Sequence, residues 1–260
     1  MRAARPAVPL DGRKLVLFDL YGTLVHARER PAEVYRRALA ELGLFPPDAI
    51  LEQAVQAALE AYWMQRAECR TLEAVGLARE AMAQAVLETV APSREPEERR
   101  SLARAFEPTF GRMRSWYAAY DDVLPVLERL SARGLRLGVL SNWDASALQL
   151  LRELDLDRFF DVVVISIPEG VEKPDPAIFR LALQRAGVGA GEAVMVGDTY
   201  EDDILPAREL GLLAVHLTRR GRPGGRPDAG GLSVPGGADA APDGVVAIDS
   251  LLALAPDPAA

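Results

Sequence analysis

Short runs of apolar residues punctuate the chain, each ending at or beside a polar residue. Four are strong: Lys14–Asp19 (KLVLFD), Leu135–Ser141 (LRLGVLS), Asp161–Ser166 (DVVVIS) and Ala193–Asp198 (AVMVGD). Leu213–Leu217 (LAVHL) and Val245–Ile248 (VVAI) repeat the pattern more weakly. Runs without polar alternation fit strands buried on both faces, hence a parallel sheet. Helical segments fall between them. Val123–Ala132 is followed by Arg133 and Gly134, a cation near the last turn and a glycine past it. Asp175–Pro176 reads as an N-cap and first helical residue, with Gly187 beyond the far end. Asp203–Leu210 is closed by Gly211. This alternation predicts a doubly wound, Rossmann-like α/β core with a parallel sheet.

The long stretch between the first two strands has a different period. Leu51, Val55, Ala58, Leu59 and Tyr62 share one helical face, and Val75, Ala78, Met82, Val86 and Val90 share another. Leu102, Phe106, Phe110, Met113 and Tyr117 make a third set, and Val34–Leu42 a shorter helix after Pro31. Breaks fall at Phe45–Asp48, Cys69–Thr71 and Ala91–Pro96. Four helices with short loops predict a small helical domain over residues 27–120, inserted into a core made of 1–26 and 121–260. An insertion after the first strand is expected over the carboxyl ends of the strands, where ligands of open α/β sheets bind, and so to act as a lid. Residues 219–243 are rich in Gly, Pro and Ala and predict a flexible loop.

Composition removes several classes of function. Of 260 residues, 49% are apolar and 26% charged, which excludes a fibrous or wholly disordered chain. No run approaches the roughly 18 apolar residues of a membrane span. The N-terminal MRAARPAVPLDGRK lacks the apolar stretch of a secretory signal. Cys69 is the only cysteine, so no intrachain disulfide forms, and a reducing, cytoplasmic setting fits. The net charge of −8 argues against nucleic acid as a partner. Arg219, Arg220, Arg222 and Arg226 are the one basic cluster of note; set among Gly and Pro, they read as a solvated loop.

The excess of acids is better used elsewhere. Asp19 ends the first strong strand, Ser141 and Asn142 the second, and Asp198 the fourth, with Glu201, Asp202 and Asp203 close behind. Lys173 lies in the loop after the third, ahead of Pro174-Asp175-Pro176. In a parallel sheet these sites converge on one rim. Two or three carboxylates there suit Mg²⁺, a hard cation that prefers oxygen. A hydroxyl and an ammonium suit phosphate oxygens, and a carboxylate can serve as a nucleophile.

The order and spacing of DLYGTL, LSN, VEKPDPAIF and VGDTYEDD resemble the four motifs of the haloacid dehalogenase (HAD) superfamily of hydrolases, in the helical-cap branch of subfamily I. The resemblance spans nearly the whole chain and implies roles. Asp19 matches the nucleophile that forms a covalent aspartyl intermediate. Thr23 matches the residue that steadies its loop. Ser141 matches the phosphate-binding hydroxyl, and Asn142 the residue that helps to position substrate. Lys173 matches the lysine that offsets the charge of nucleophile and phosphate. Asp198 and Asp203 match the acids of an Mg²⁺ site, completed by Asp19 and the carbonyl of Tyr21. The implied activity is that of an Mg²⁺-dependent phosphatase acting on a small phosphorylated metabolite, without a membrane or nucleic-acid partner.

One position departs from the phosphatase pattern. Two residues after the nucleophile, such phosphatases carry a second aspartate that protonates the leaving alkoxide; here Tyr21 stands there. A free phenol has a pKa near 10, so it is a poor base at neutral pH. The DxYGT form is similar to 2-haloacid dehalogenases, which use the same nucleophile without metal. Those enzymes replace the acid at Asp198 by a small neutral residue, and this chain keeps it. Three readings thus remain: a phosphatase first, then a non-catalytic or regulatory binding protein, then a dehalogenase. His26 and His216 read as structural or surface residues, and Cys69 as a small apolar filler. Trp63, Trp116, Tyr117 and Tyr120 read chiefly as packing, with Trp143 as the aromatic nearest the substrate. Arg28 and Arg30 read equally as anion contacts or surface charges.

Overall fold

The computed structural model describes residues 8–106, 111–219 and 244–256. It resolves into two compact units. The first holds residues 1–26, 119–142 and 155–260; the second holds 27–118 and 143–154.

The first unit is built on β1 (Leu15–Phe18); β2 (Val25–Ala27) and β3 (Tyr117–Ala119) each begin in one unit and end in the other. These two short strands pair with each other, a ribbon that the apolar pattern does not announce because each is only three residues long. The chain continues through α5 (Val123–Ala132), β4 (Arg136–Ser141), β5 (Val162–Ile165), α7 (Ser166–Glu169) and α8 (Pro176–Ala186). It ends with β6 (Ala193–Gly197), α9 (Leu205–Glu209), β7 (Leu213–Leu217) and β8 (Val245–Ile248). The main sheet is six-stranded in the order β5-β4-β1-β6-β7-β8, and every pairing in it is parallel. All six expected strands form, most of them trimmed by a residue at one or both ends.

The register places Leu15 beside Arg136 on one side and Ala193 on the other, so β1 is central. All four of its residues are fully buried. Leu15 and Leu17 point to one face and pack with Ile178, Phe179 and Ala182 of α8. The alternation sends Val16 and Phe18 to the opposite face. The helix starts follow the predicted local chemistry. The Asp175 side chain accepts from the Ala177 backbone N–H at 2.8 Å, Pro176 occupies the first turn, and Gly187 closes the helix with φ +65°.

The second unit contains α1 (Pro31–Glu41), α2 (Asp48–Gln65), α3 (Leu72–Val90) and α4 (Pro96–Ala105). Its core joins Val34, Tyr35 and Leu39 of α1 to Leu51 and Val55 of α2, Val86 and Leu87 of α3, and Ala103 of α4. The helical faces at 51–62 and 75–90 are therefore sound. The third set is not one helix: α4 stops at Ala105, Met113 lies in a 3₁₀ turn and Tyr117 in β3. Phe110 lies outside the described residues. Trp63 is 53% exposed, its ring meeting the Arg66 guanidinium and the edge of Tyr62.

Residues 143–154, expected in the core, group with the helices. They include α6 (Ser146–Glu153), which sequence reading passed over. The bonds explain the grouping. Asp144 accepts from the Tyr62 hydroxyl and, at 2.7 Å, from the Ser146 N–H; Ala145 N–H donates to the Cys69 carbonyl at 3.2 Å; Glu153 accepts from the Arg114 N–H at 2.9 Å. Cys69 is buried, as a filler should be. Trp143 packs edge-on against Tyr117 in this unit. Arg28 donates to the carbonyls of Arg114 and Tyr117, and Arg30 pairs with Glu33 and Glu52, which favours structural roles for both. No helix among the described residues is long and apolar enough to cross a membrane.

Candidate active site

Three adjacent strands, β4, β1 and β6, end side by side in the first unit. Strand order turns back at β1, because the chain runs outward through β4 and β5 and then returns to β6 on the other side. Such a switch point leaves a crevice at the carboxyl ends of the strands. Asp19 follows β1, Ser141 ends β4 and Asp198 follows β6.

The side chains form one network. Ser141 Oγ donates to Asp19 Oδ1 at 3.1 Å, and Lys173 Nζ donates to the same oxygen at 2.8 Å. Lys173 Nζ also reaches Asp203 Oδ1 at 2.5 Å. Among the described residues, every hydrogen bond to the Asp19 carboxylate falls on Oδ1. Thr23 Oγ1 donates to Asp198 Oδ1 at 3.3 Å, and Thr23 is wholly buried. His216 Nε2 lies 3.3 Å from the Asp198 carbonyl, a structural histidine set beside the site. Asn142 makes two bonds to the main chain of Lys173. Its Nδ2 donates to the Lys173 carbonyl and its Oδ1 accepts from the Lys173 N–H, both at 2.8 Å. The amide thus anchors the main chain that carries the lysine.

Local sequence explains how the acids reach this point. Asp19 N–H donates to the Val196 carbonyl, so the residue after β1 is still held by β6. The chain then turns sharply: Gly22, with φ +85°, donates its N–H to Val25, and Leu24 and Val25 both donate to the Leu20 carbonyl. A side chain is disfavoured at that φ, which accounts for glycine. Tyr21, half-buried, sits in this turn and bridges to Val25. Asp203 does not begin a helix; it lies inside a π-helical turn, Tyr200–Ile204, that precedes α9. Its Oδ2 accepts from the Thr199 N–H at 3.0 Å, which closes that turn.

Gly197 makes room for Asp203, since a Cβ there would overlap the Asp203 side chain. Gly197→Ala is therefore expected to push the carboxylate aside, at a cost of about 1–3 kcal/mol, as overpacking in a rigid site does. Denaturant unfolding reads that loss, and calorimetry should show weaker Mg²⁺ binding; unchanged values in both would mean the site yields freely.

Burial sets the electrostatics. Asp203 is 1% exposed and Lys173 4%. Burial raises the Asp203 carboxyl, Lys173 opposes the rise and Asp19 and Asp198 add to it, and the net position is about 7. Burial also works against the Lys173 ammonium, but Asp19 and Asp203 outweigh it and hold its pKa above the ordinary lysine value. One oxygen from each of Asp19, Asp198 and Asp203 lies within 4.8 Å of the others. Three carboxylates facing one ammonium leave a net charge near −2. The hard oxygens and the surplus charge both fit a divalent cation such as Mg²⁺.

A polar rim of this kind at the switch point of a six-stranded parallel sheet defines a Rossmann-like α/β protein with a carboxylate-centred site. The model of the haloacid dehalogenase-like hydrolases matches residues 13–211, and the chain belongs to that family. It is 32% identical over 212 residues to haloacid dehalogenase-like hydrolase domain-containing protein 3 of Danio rerio, covering 79% of this chain and 85% of that one. It is 31% identical over 210 residues to the glyceraldehyde 3-phosphate phosphatase of Methanopyrus kandleri, covering 80% and 85%. Among solved structures, a 2-haloacid dehalogenase from Pseudomonas syringae pv. Tomato DC3000 matches with a TM-score of 0.60 and 28% identity, over 92% of this chain and 95% of that one.

Two residues near the site escaped sequence reading. Arg219, expected in a solvated loop, is only 9% exposed in its side chain and pairs with Asp122 at 2.9 Å. Its partner is far away in sequence, and the Gly- and Pro-rich neighbourhood disguises it. The strand-end rule that found Asp19 and Asp198 would have found Arg219 two residues past β7. Arg220, Arg222 and Arg226, with the rest of the expected flexible loop, lie outside the described residues.

Proposed function

We propose that this protein is an Mg²⁺-dependent phosphatase that works through an aspartyl-phosphate on Asp19. The observation that carries this reading is the acidic set of Asp19, Asp198 and Asp203 around one buried ammonium, Lys173. Carboxylates gathered so closely in a buried site call for a cation. A metal-free dehalogenase site would have no use for Asp198.

In this reading Asp19, the Tyr21 carbonyl, Asp198 and Asp203 would hold Mg²⁺, which would supply charge neutralisation for nucleophile and phosphate. The protein's own groups do the rest. Lys173 and Ser141 hold Asp19 Oδ1, which fixes the carboxylate for attack and places a cation and a hydroxyl beside the incoming phosphate oxygens. Asn142 acts on substrate through Lys173, by holding that residue's main chain. The Asp19 carboxylate attacks phosphorus, the leaving oxygen departs with its electron pair, and water then cleaves the acyl phosphate to return Asp19 and phosphate. The helical unit is the element we assign to substrate selection, as its insertion after β1 suggests.

Tyr21 sets the expected substrate preference. An alkoxide needs a proton as it leaves, and the usual donor is missing; a phenolate, or the carboxylate expelled from an acyl phosphate, needs much less help. General acid catalysis contributes about 10²–10⁴-fold. The protein should therefore favour aryl phosphates over alkyl phosphates, and Tyr21→Asp should narrow the gap. The check is kcat/KM for one ester of each kind, with and without Mg²⁺, in both forms. Equal use of both esters by the parent, with no gain in the variant, would mean that the proton is supplied elsewhere. Tyr21, and the likeness to the Pseudomonas dehalogenase, favour one alternative: halide release from 2-haloacids without metal. That result in the same assay would replace the phosphatase reading. Mg²⁺ binding without either activity would point to a binding protein.

A further inference from the structure

Beyond the four motifs, one buried ion pair touches the turn that carries the nucleophile. Arg219 leaves the end of β7, and its guanidinium makes a fork with Asp122: Nη1 to Oδ2 at 3.1 Å and Nη2 to Oδ1 at 2.9 Å. Nη2 also donates to the main-chain carbonyl of Thr23 at 2.7 Å. The guanidinium carbon stands 3.7 Å from the centroid of the Tyr120 ring, in cation–π range. Asp122 is held in turn by the Ser250 hydroxyl at 2.7 Å and the Leu251 N–H at 2.9 Å. Burial works against its charged form, but Arg219, Ser250 and Leu251 outweigh that and keep its carboxyl below the usual range.

The contact with Thr23 matters because of what else that residue does. Its side chain donates to Asp198, and its carbonyl is the one Arg219 takes. The next carbonyl, of Leu24, accepts from the Tyr120 N–H at 3.1 Å. The far end of the nucleophile turn is thus fastened at two consecutive carbonyls by residues outside every motif. Arg219 and Asp198 also line one cavity of about 220 Å³, together with Leu217 and Thr218.

We propose that Arg219 is a positioning residue for the active site. Locked by Asp122 and Tyr120, it holds the Thr23 carbonyl so that the Thr23 hydroxyl keeps Asp198 facing Asp19 and Asp203. A planar fork suits this task. Lysine offers a point charge on a flexible stem and cannot hold the Asp122 carboxylate at two points while fixing the Thr23 carbonyl. The kinetic part of this inference rests on the phosphatase reading; the metal-binding part does not.

The test compares the full-length protein with Arg219→Met and Arg219→Lys. Three readouts are needed: thermal unfolding, Mg²⁺ affinity by calorimetry, and kcat and KM for an aryl phosphate at a temperature where each form is folded. Small misplacements of catalytic groups cost up to about 100-fold. Arg219→Met is expected to lower kcat at least about tenfold with little change in KM, and to weaken Mg²⁺ binding several-fold. Arg219→Lys should recover only part of both. A purely structural tether would lower the unfolding midpoint and leave Mg²⁺ affinity and kcat within about twofold, a result that overturns the proposal. If Arg219→Met does not fold, Arg219→Lys decides by the same measures. A parent protein that binds Mg²⁺ but hydrolyses no phosphate ester sinks the phosphatase reading alone, and the calorimetry still decides the role of Arg219. A parent that binds no Mg²⁺ overturns both.

Discussion

Asp19→Asn is expected to abolish hydrolysis while leaving the metal-free protein as stable as its parent, or more so. The two effects have different origins. The amide is not a nucleophile, so no covalent intermediate forms, and removal of a nucleophile of this kind costs at least about 10³-fold in kcat. Stability moves the other way because Asp19 belongs to a close set of three acids, of which only Asp19 and Asp203 pair with the Lys173 ammonium. Removing one negative charge relieves repulsion on Asp198 and Asp203, and the asparagine oxygen still accepts from Lys173 and Ser141. Single-turnover assays and thermal unfolding without metal read the pair of effects. A variant that retains more than about a tenth of the parental kcat would rule Asp19 out as nucleophile.

Lys173→Met should do the opposite. Its side chain is 3% exposed, and it pairs with Asp19 and Asp203. Methionine replaces the stem but not the charge, and the two carboxylates are left buried without their cation. Breaking a buried pair from one side costs about 3–5 kcal/mol. For a chain of this size that lowers the unfolding midpoint by roughly 10 °C. Mg²⁺ should restore part of the loss by binding only the folded form. The pH sign is set as well. Asp203 is raised from 3.8 to about 7 in the folded protein, so folding favours its proton, and metal-free stability falls as pH rises between those values. Without Lys173 the carboxyl rises further, and the gap between variant and parent should widen as pH increases. Midpoints measured across pH, with and without Mg²⁺, check this; a variant as stable as its parent at neutral pH would mean that the lysine is not what neutralises the acids.

The sequence by itself determined most of the architecture. Unbroken apolar runs mark strands covered on both faces, and all six central strands lie where those runs fall. N-caps such as Asp175 and terminal glycines such as Gly187 are local devices, and local chemistry suffices to place them. The candidate site was legible for a related reason. In a parallel sheet every strand ends at the same rim, so polar residues after successive strands meet without any knowledge of distances. Asp19, Ser141, Lys173, Asp198 and Asp203 all converge in this way.

What only the tertiary structure decided are the pairings between residues far apart in sequence. Arg219 looked like one of four loop arginines until Asp122 and the Thr23 carbonyl were found against it. That the Asn142 amide holds the Lys173 main chain is a pairing that only the fold supplies. The assignment of residues 143–154 to the helical unit depends on the Tyr62–Asp144 bond and its neighbours. Periodicity reports which side of an element is apolar and composition reports how much charge must be placed. Neither reports which buried donor meets which acceptor, because that choice is made by distance and desolvation once the chain has folded.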